Sequence, residues 1–95
     1  MKNHIDLNTT VSINSDILST SLEDELVMLH MERGFYYGVD GVARYIWEQL
    51  EQPNTGRNLC KTLQQRYVVD NETAEREVLA FLSSLQAADL LTIHT

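Results

Sequence analysis

Three histidines, one cysteine, four glycines and fourteen carboxylates are the residues of this 95-residue chain whose types could carry chemistry. Their spacing decides whether they do. His4, His30 and His94 are far apart, and none stands in a HExxH-like or CxxC-like pattern that would gather ligands around a metal. Cys60 shares helical spacing with Leu59, Leu63 and Tyr67, which predicts a buried structural thiol rather than an activated one. Gly34, Gly38, Gly41 and Gly56 fit neither GxGxxG nor the P-loop, so no phosphate cradle is expected. The acids cluster as Glu23-Asp24-Glu25 and as Glu72, Glu75 and Glu77, a pattern typical of solvated faces and not of paired catalytic carboxylates. No metal, no cofactor and no catalytic residue is expected. Enzyme is the weakest class.

Charge narrows the partners. Fourteen Asp and Glu against seven Lys and Arg leave a net charge of −7. A field of that sign repels phosphate backbones and anionic lipid and attracts basic peptides and proteins. A winged-helix DNA-binding regulator is the alternative reading, because the second helix predicted below carries Arg57, Lys61 and Arg66 without an acid. The third helix, which would enter the major groove, sets Glu72, Glu75, Glu77 and Asp89 against Arg76 alone. The shape suits DNA, but the charge does not.

Composition sets the frame. Hydrophobic residues make up 43% and charged residues 22%, enough apolar content for one packed domain of this length and too much for a disordered chain. No apolar run approaches a membrane span, and Met1-Lys2-Asn3-His4-Ile5-Asp6 has no signal-peptide core. With one cysteine incapable of an internal disulfide, the expected compartment is the reducing cytoplasm.

The elements follow from periodicity. Residues 1–10 are polar and aperiodic, and predict a flexible arm before a domain over 11–95. Val11 and Ile13 alternate with Ser12 and Asn14 as a short strand would, and Ile17–Leu22 reads as a second. Leu26–Met31 and Phe35–Val39, around Glu32-Arg33-Gly34, read as a hairpin. The spacing then turns helical. Asp40 is placed to cap a helix with Val42, Ala43, Ile46, Trp47 and Leu50 on one face, stopped at Gln52-Pro53-Asn54. Thr55 is placed to cap a second helix. Asp70 is placed to cap a third, whose stripe is Ala74, Val78, Phe81, Leu82, Leu85 and Ala88, with Leu79 at its edge. Leu90–Ile93 has the pattern of a terminal strand. About three antiparallel strands followed by three helices predict an α+β, winged helix-turn-helix-like domain.

These residues resemble a known family. The run Glu25-Leu26-Val27-Met28-Leu29-His30-Met31-Glu32-Arg33-Gly34-Phe35-Tyr36-Tyr37-Gly38-Val39-Asp40 is similar to the sheet of PqqD-like proteins: an acidic start, an apolar strand, a charged turn ending in Gly, and an aromatic strand. Ala43, Ile46, Trp47 and Leu50 resemble that family's first helix. Asp70, Glu72, Thr73, Ala74, Val78, Phe81, Leu82, Leu85 and Leu90 resemble its last helix and exit. The likeness covers roughly 11–93. The arm before Val11 and the middle helix with Cys60, Gln64 and Gln65 depart from it.

The resemblance implies a recognition element for ribosomally synthesised, post-translationally modified peptides. Such a domain binds the leader of a precursor peptide without catalysis and presents it to maturation enzymes. Free-standing members of this size look most like those of lasso peptide clusters, where the partner is a leader peptidase and a cyclase acts afterwards. Similar domains serve the PQQ pathway and radical-enzyme clusters. The resemblance places the leader as an added strand on Phe35, Tyr36, Tyr37, Gly38, Val39 and Asp40, with the last helix as the second wall. On a helical wheel Glu75, Leu79, Leu82 and Gln86 share one flank of that helix beside Val78, and Glu72 and Glu75 stand where a basic leader residue would be held. An exposed strand edge also makes a homodimer an expectation.

Overall fold

The computed structural model describes residues 5–94. Six strands form two three-stranded antiparallel sheets, and three helices pack against them. The chain runs β1 (Thr10–Ile13), β2 (Ile17–Ser21), β3 (Leu26–His30), β4 (Phe35–Val39), α1 (Gly41–Glu48) with a 3-10 turn over Gln49–Glu51, β5 (Asn54–Thr55), α2 (Gly56–Arg66), α3 (Asn71–Ala87) and β6 (Leu91–His94). This is the α+β class expected, with strands before helices. No helix among the described residues is long and apolar enough to cross a membrane.

The second sheet departs from the sequence reading. The first strand was expected to join the others in one sheet of about three; instead β1 lies between β5 and β6 in a sheet of its own. Val11 faces Asn54 on one side and Ile93 on the other, and is fully buried. Its partners are more than forty residues away and very short, so no local pattern announces them. The expected arm over 1–10 looks different as well. Residues 1–4, and with them His4, lie outside the described residues. From Ile5 the chain packs on the core, and the Arg57 N–H donates to the Leu7 carbonyl at 2.8 Å. Gly56 permits that approach, because a Cβ there would meet the Leu7 backbone at 3.3 Å.

The sheet of β2, β3 and β4 obeys strand alternation. Leu26, Met28 and His30 point inward and pair with Val39, Tyr37 and Phe35; Val27 and Leu29 point outward with Gly38 and Tyr36. Helix α1 crosses the inner face beneath β2. Trp47 is buried there with its Nε1–H donating to Ser19 Oγ at 3.4 Å, and Arg44 reaches Ser21 Oγ at 3.0 Å. Asp40 precedes α1 but makes no side-chain cap; its carbonyl accepts from the Arg44 N–H instead. Thr55 and Asp70 do cap, accepting from the N–H groups of Asn58 at 3.1 Å and Thr73 at 3.0 Å.

One polar knot ties both sheets to the end of α3. His30 is almost fully buried, and its Nδ1 accepts from the Arg33 N–H at 3.2 Å. That leaves the proton on Nε2, which lies 3.0 Å from Asp89 Oδ2 and donates to it. Asp89 takes the left-handed φ of 61° just beyond α3, and its carbonyl accepts from Asn14 Nδ2 at 2.9 Å. The hairpin β3–β4 is thereby fixed to the C-terminal end of α3.

Candidate functional site

Strand order puts β4 at the edge of its sheet. Pairing with β3 uses the hydrogen-bonding groups on one side of Phe35–Val39 and leaves those on the other side open. Phe35, Tyr37 and Val39 turn their side chains toward the helices, Phe35 against the His30 ring at 5.4 Å between centroids. Tyr36 and Gly38 face solvent. Asp40, exposed, leads into α1.

Between the helices lies a cavity of about 540 Å³. Its first wall is Val42, Ala43 and Ile46 of α1, beginning three residues beyond β4 in the chain. Leu63 and Tyr67 of α2 form its floor with Val69. Helix α3 closes it with Thr73, Glu77, Ala80, Phe81 and Ser84. Apart from Glu77 the wall is apolar or weakly polar, and the volume falls within the range that takes a bulky side chain or small ligand. The small residues Ala80 and Ser84 leave the space that Phe81 and Ile46 bound. Tyr67 is held by an edge-on contact with Tyr45, 5.9 Å between centroids, with the Arg66 guanidinium 4.7 Å above the Tyr45 ring.

The cavity uses the other flank of α3 from the one expected. The wheel reading chose Glu75, Leu79, Leu82 and Gln86; the lining residues lie on the opposite side of the core stripe. Val78 and Leu82 are fully buried core. Leu79 is half-buried against that core. The Glu75 carboxylate accepts from Asn71 at 3.1 Å and faces α2, where it acts on Cys60. Glu72 is exposed in the first turn, and Gln86, half-buried, accepts through its carbonyl from the Asp89 N–H. None of these six lines the cavity. The flank of α3 that lines the cavity is marked in the sequence by Val42, an apolar residue left exposed in the first turn of α1, and by the small pair Ala80 and Ser84 around Phe81.

Burial pushes the Cys60 thiol up, the Glu75 carboxylate adds to that, and Arg57 only partly opposes it, so the thiolate needed for nucleophilic attack is disfavoured. Among the described residues no group of His, Cys, Asp and Glu is arranged to hold a metal ion. The fold thus presents an open strand edge at β4 and an apolar cavity between the helices.

The family model for coenzyme PQQ synthesis protein D (PqqD) matches residues 25–91, from the acid before β3 to the start of β6. The chain belongs to the PqqD family. Among solved structures it is similar to TbiB1 in complex with the TbiA(beta) leader peptide, at 34% identity and a TM-score of 0.79, over 84% of this chain and 93% of that one. It also shares the fold of lasso peptide synthetase B1 complexed with the leader peptide. That likeness has 21% identity and a TM-score of 0.78, over 86% of this chain and 96% of that one. No curated protein matches.

Proposed function

We propose that this PqqD-family protein binds the leader of a ribosomally made precursor peptide as an added strand on β4 and delivers it to a maturation enzyme, without catalysis of its own. The observation that carries the reading is the free edge of Phe35–Val39. An extended leader completes the open N–H and C=O groups of β4, and every second side chain points into the layer occupied by Phe35, Tyr37 and Val39. An apolar anchor from that series fills the space bounded by Ile46 and Phe81, with Glu77 at the rim to hold a basic neighbour. The other edge, β2, lacks this complement, because its inner residues Ser19 and Ser21 are engaged by α1.

The relative at 34% identity was solved with a leader peptide, which supports the same ligand class here. The net charge of −7 favours a basic leader over nucleic acid. We assign the protein to lasso peptide maturation in the cytoplasm, with a leader peptidase as the enzyme served. Isothermal titration tests the reading: the full precursor and its isolated leader should bind equally, and the leaderless core should not bind. Equal binding of core and leader, or tight and steeply salt-dependent binding of random duplex DNA, would refute it.

A further inference from the structure

Cations are few in this chain, and the fold sorts them unevenly. Of the six among the described residues, Arg33 is drawn to Asp89 at 3.6 Å and Arg44 to Glu48 at 3.5 Å, while Arg76 stands among Glu72, Glu75 and Glu77 on α3. The other three, Arg57, Lys61 and Arg66, all lie exposed on α2, and none pairs with a carboxylate among the described residues. Helix α2 itself holds no acid. The Arg44–Glu48 pair on α1 shows the ordinary alternative, opposite charges one turn apart on one helix face. In a chain of net charge −7, three unpaired cations on one acid-free helix make a face of opposite sign to the rest of the molecule.

Part of this face is preformed. Leu59, Cys60 and Leu63 turn α2 toward the core, which leaves Arg57, Asn58, Lys61 and Gln65 outward. Arg57 and Lys61 stand one turn apart on one flank, over a polar cavity of about 440 Å³ shared with Asn8, Asn54, Thr55 and Asn58. The Arg57 Nε–H donates to Asn8 Oδ1 at 3.1 Å, and its backbone N–H to the Leu7 carbonyl at 2.8 Å. The guanidinium is thereby held, with its two terminal nitrogens open to grip a carboxylate in bidentate fashion. The backbone N–H groups of Arg57 and Asn58 are already bonded, so side chains and not the helix end supply the charge. Two acids in the neighbourhood are engaged: Asp6 accepts from the Asn8 N–H and the Thr9 hydroxyl, and Glu75 from Asn71.

We infer that the exposed face of α2 docks an acidic segment of another polypeptide, with one carboxylate seated at Arg57 and Lys61. Charge complementarity selects this occupant. At physiological ionic strength charges beyond about 8 Å are largely screened, so the partner reads the local cations and not the net −7. A second copy of the chain fits badly, because a two-fold contact sets α2 cations against α2 cations. A lipid surface fits no better, since Arg57, Asn58, Lys61 and Gln65 offer no apolar side chain for insertion. Duplex DNA would bring its phosphates against the exposed Glu72 and Glu77 of α3, which packs on α2. An acidic segment that stays on one helix avoids those acids. The face is separate from the open edge of β4: Leu63 and Tyr67 turn to the cavity described above, Arg57 and Lys61 to this one. A leader on β4 and an acidic partner on α2 therefore bind side by side.

The test titrates the full chain with a short peptide of Glu and Asp spaced by Gly and Ser, and with its Gln/Asn counterpart. At low salt the acidic peptide should bind at least tenfold tighter than the neutral one and weaken as salt rises. It should also shift the amide resonances of Arg57, Asn58, Lys61 and Gln65. Arg57→Gln/Lys61→Gln should lower its affinity at least fivefold, and Arg76→Gln on α3 should not. Because Arg57 also braces Asn8, Lys61→Glu is the second variant, at an exposed side chain, and should lose at least as much while melting near the parent. Failure of the parent to bind the acidic peptide overturns the inference, as does equal binding of the neutral peptide or unchanged binding by folded Lys61→Glu. Tighter binding of inorganic phosphate or random duplex DNA overturns it in favour of a phosphate site. A parent dimer that Lys61→Glu renders monomeric overturns it in favour of self-association. A parent that binds the acidic peptide through α2 but no leader supports this inference and refutes the earlier reading.

Discussion

Walking a backbone N-methyl group along the leader tests strand addition more directly than any side-chain substitution. The open edge of β4 is five residues long, and alternation leaves either Tyr36 and Gly38, or Phe35, Tyr37 and Val39, presenting N–H and C=O to an incoming chain. The leader's own N–H groups alternate in the same way, so only every second methylation removes a bond to β4. Each lost bond is worth about 0.5–1.5 kcal/mol net, and the stranded β4 carbonyl adds up to about 1–3 kcal/mol where the cavity side excludes water. A tenfold change corresponds to about 1.4 kcal/mol. Sensitive positions should therefore weaken by roughly 2- to 10-fold where only the bond is lost and by up to about a thousandfold where the carbonyl is also stranded, with near-parent affinity between them. Competition anisotropy with a labelled leader reads this range. A flat profile, or losses recurring every three to four residues, would refute strand addition; the second pattern would mean a helical leader in the cavity.

Further outcomes follow from named contacts. Phe81→Ala should weaken leader binding by about 1–3 kcal/mol if it bounds an anchor pocket, while Leu79→Ala, on the opposite flank of α3, should leave titrations unchanged. Ala80→Trp, at the exposed mouth of the cavity, should block the anchor with little change in melting temperature. Asp89→Ala strands the buried His30 Nε2–H and should destabilise by roughly 1–3 kcal/mol in a denaturant melt, whereas Asp89→Asn, which keeps an acceptor, should recover most of it. Hydrogen bonds from the Thr73 side chain and backbone N–H hold the Asp70 pKa below the ordinary carboxylate range. A depressed folded-state pKa means the cap's contribution is full above the unfolded value near about 3.9 and is lost as pH falls through the folded one. Melts of Asp70→Asn against pH should accordingly fall less steeply than the parent's below about pH 4.

What the sequence disclosed and what it withheld divide along contact range. The hairpin was legible because Leu26–His30 and Phe35–Val39 alternate around a glycine turn, a local pattern with local partners. The caps at Thr55 and Asp70 were legible because their bonds span three residues. The sheet of β1, β5 and β6 was not, because Val11 pairs with Asn54 and Ile93, which lie forty-three and eighty-two residues on in the chain. Which flank of α3 faces the cavity was not legible for a related reason. A helical wheel gives two flanks to any core stripe, and only the neighbours decide which one faces a groove. Glu75 and Leu79 looked apt by composition, while the cavity lies on the flank of Ala80, Phe81 and Ser84, bounded by Val42 of α1 and Leu63 of α2. His30 illustrates the same limit from the other direction. Alone in sequence it offers no metal or catalytic partner, and in the fold it finds Asp89, fifty-nine residues on, as the bond that sets the β3–β4 hairpin against α3. The open edge of β4 is thus placed by contacts of long range, although the strand that forms it is dictated by short-range pattern alone.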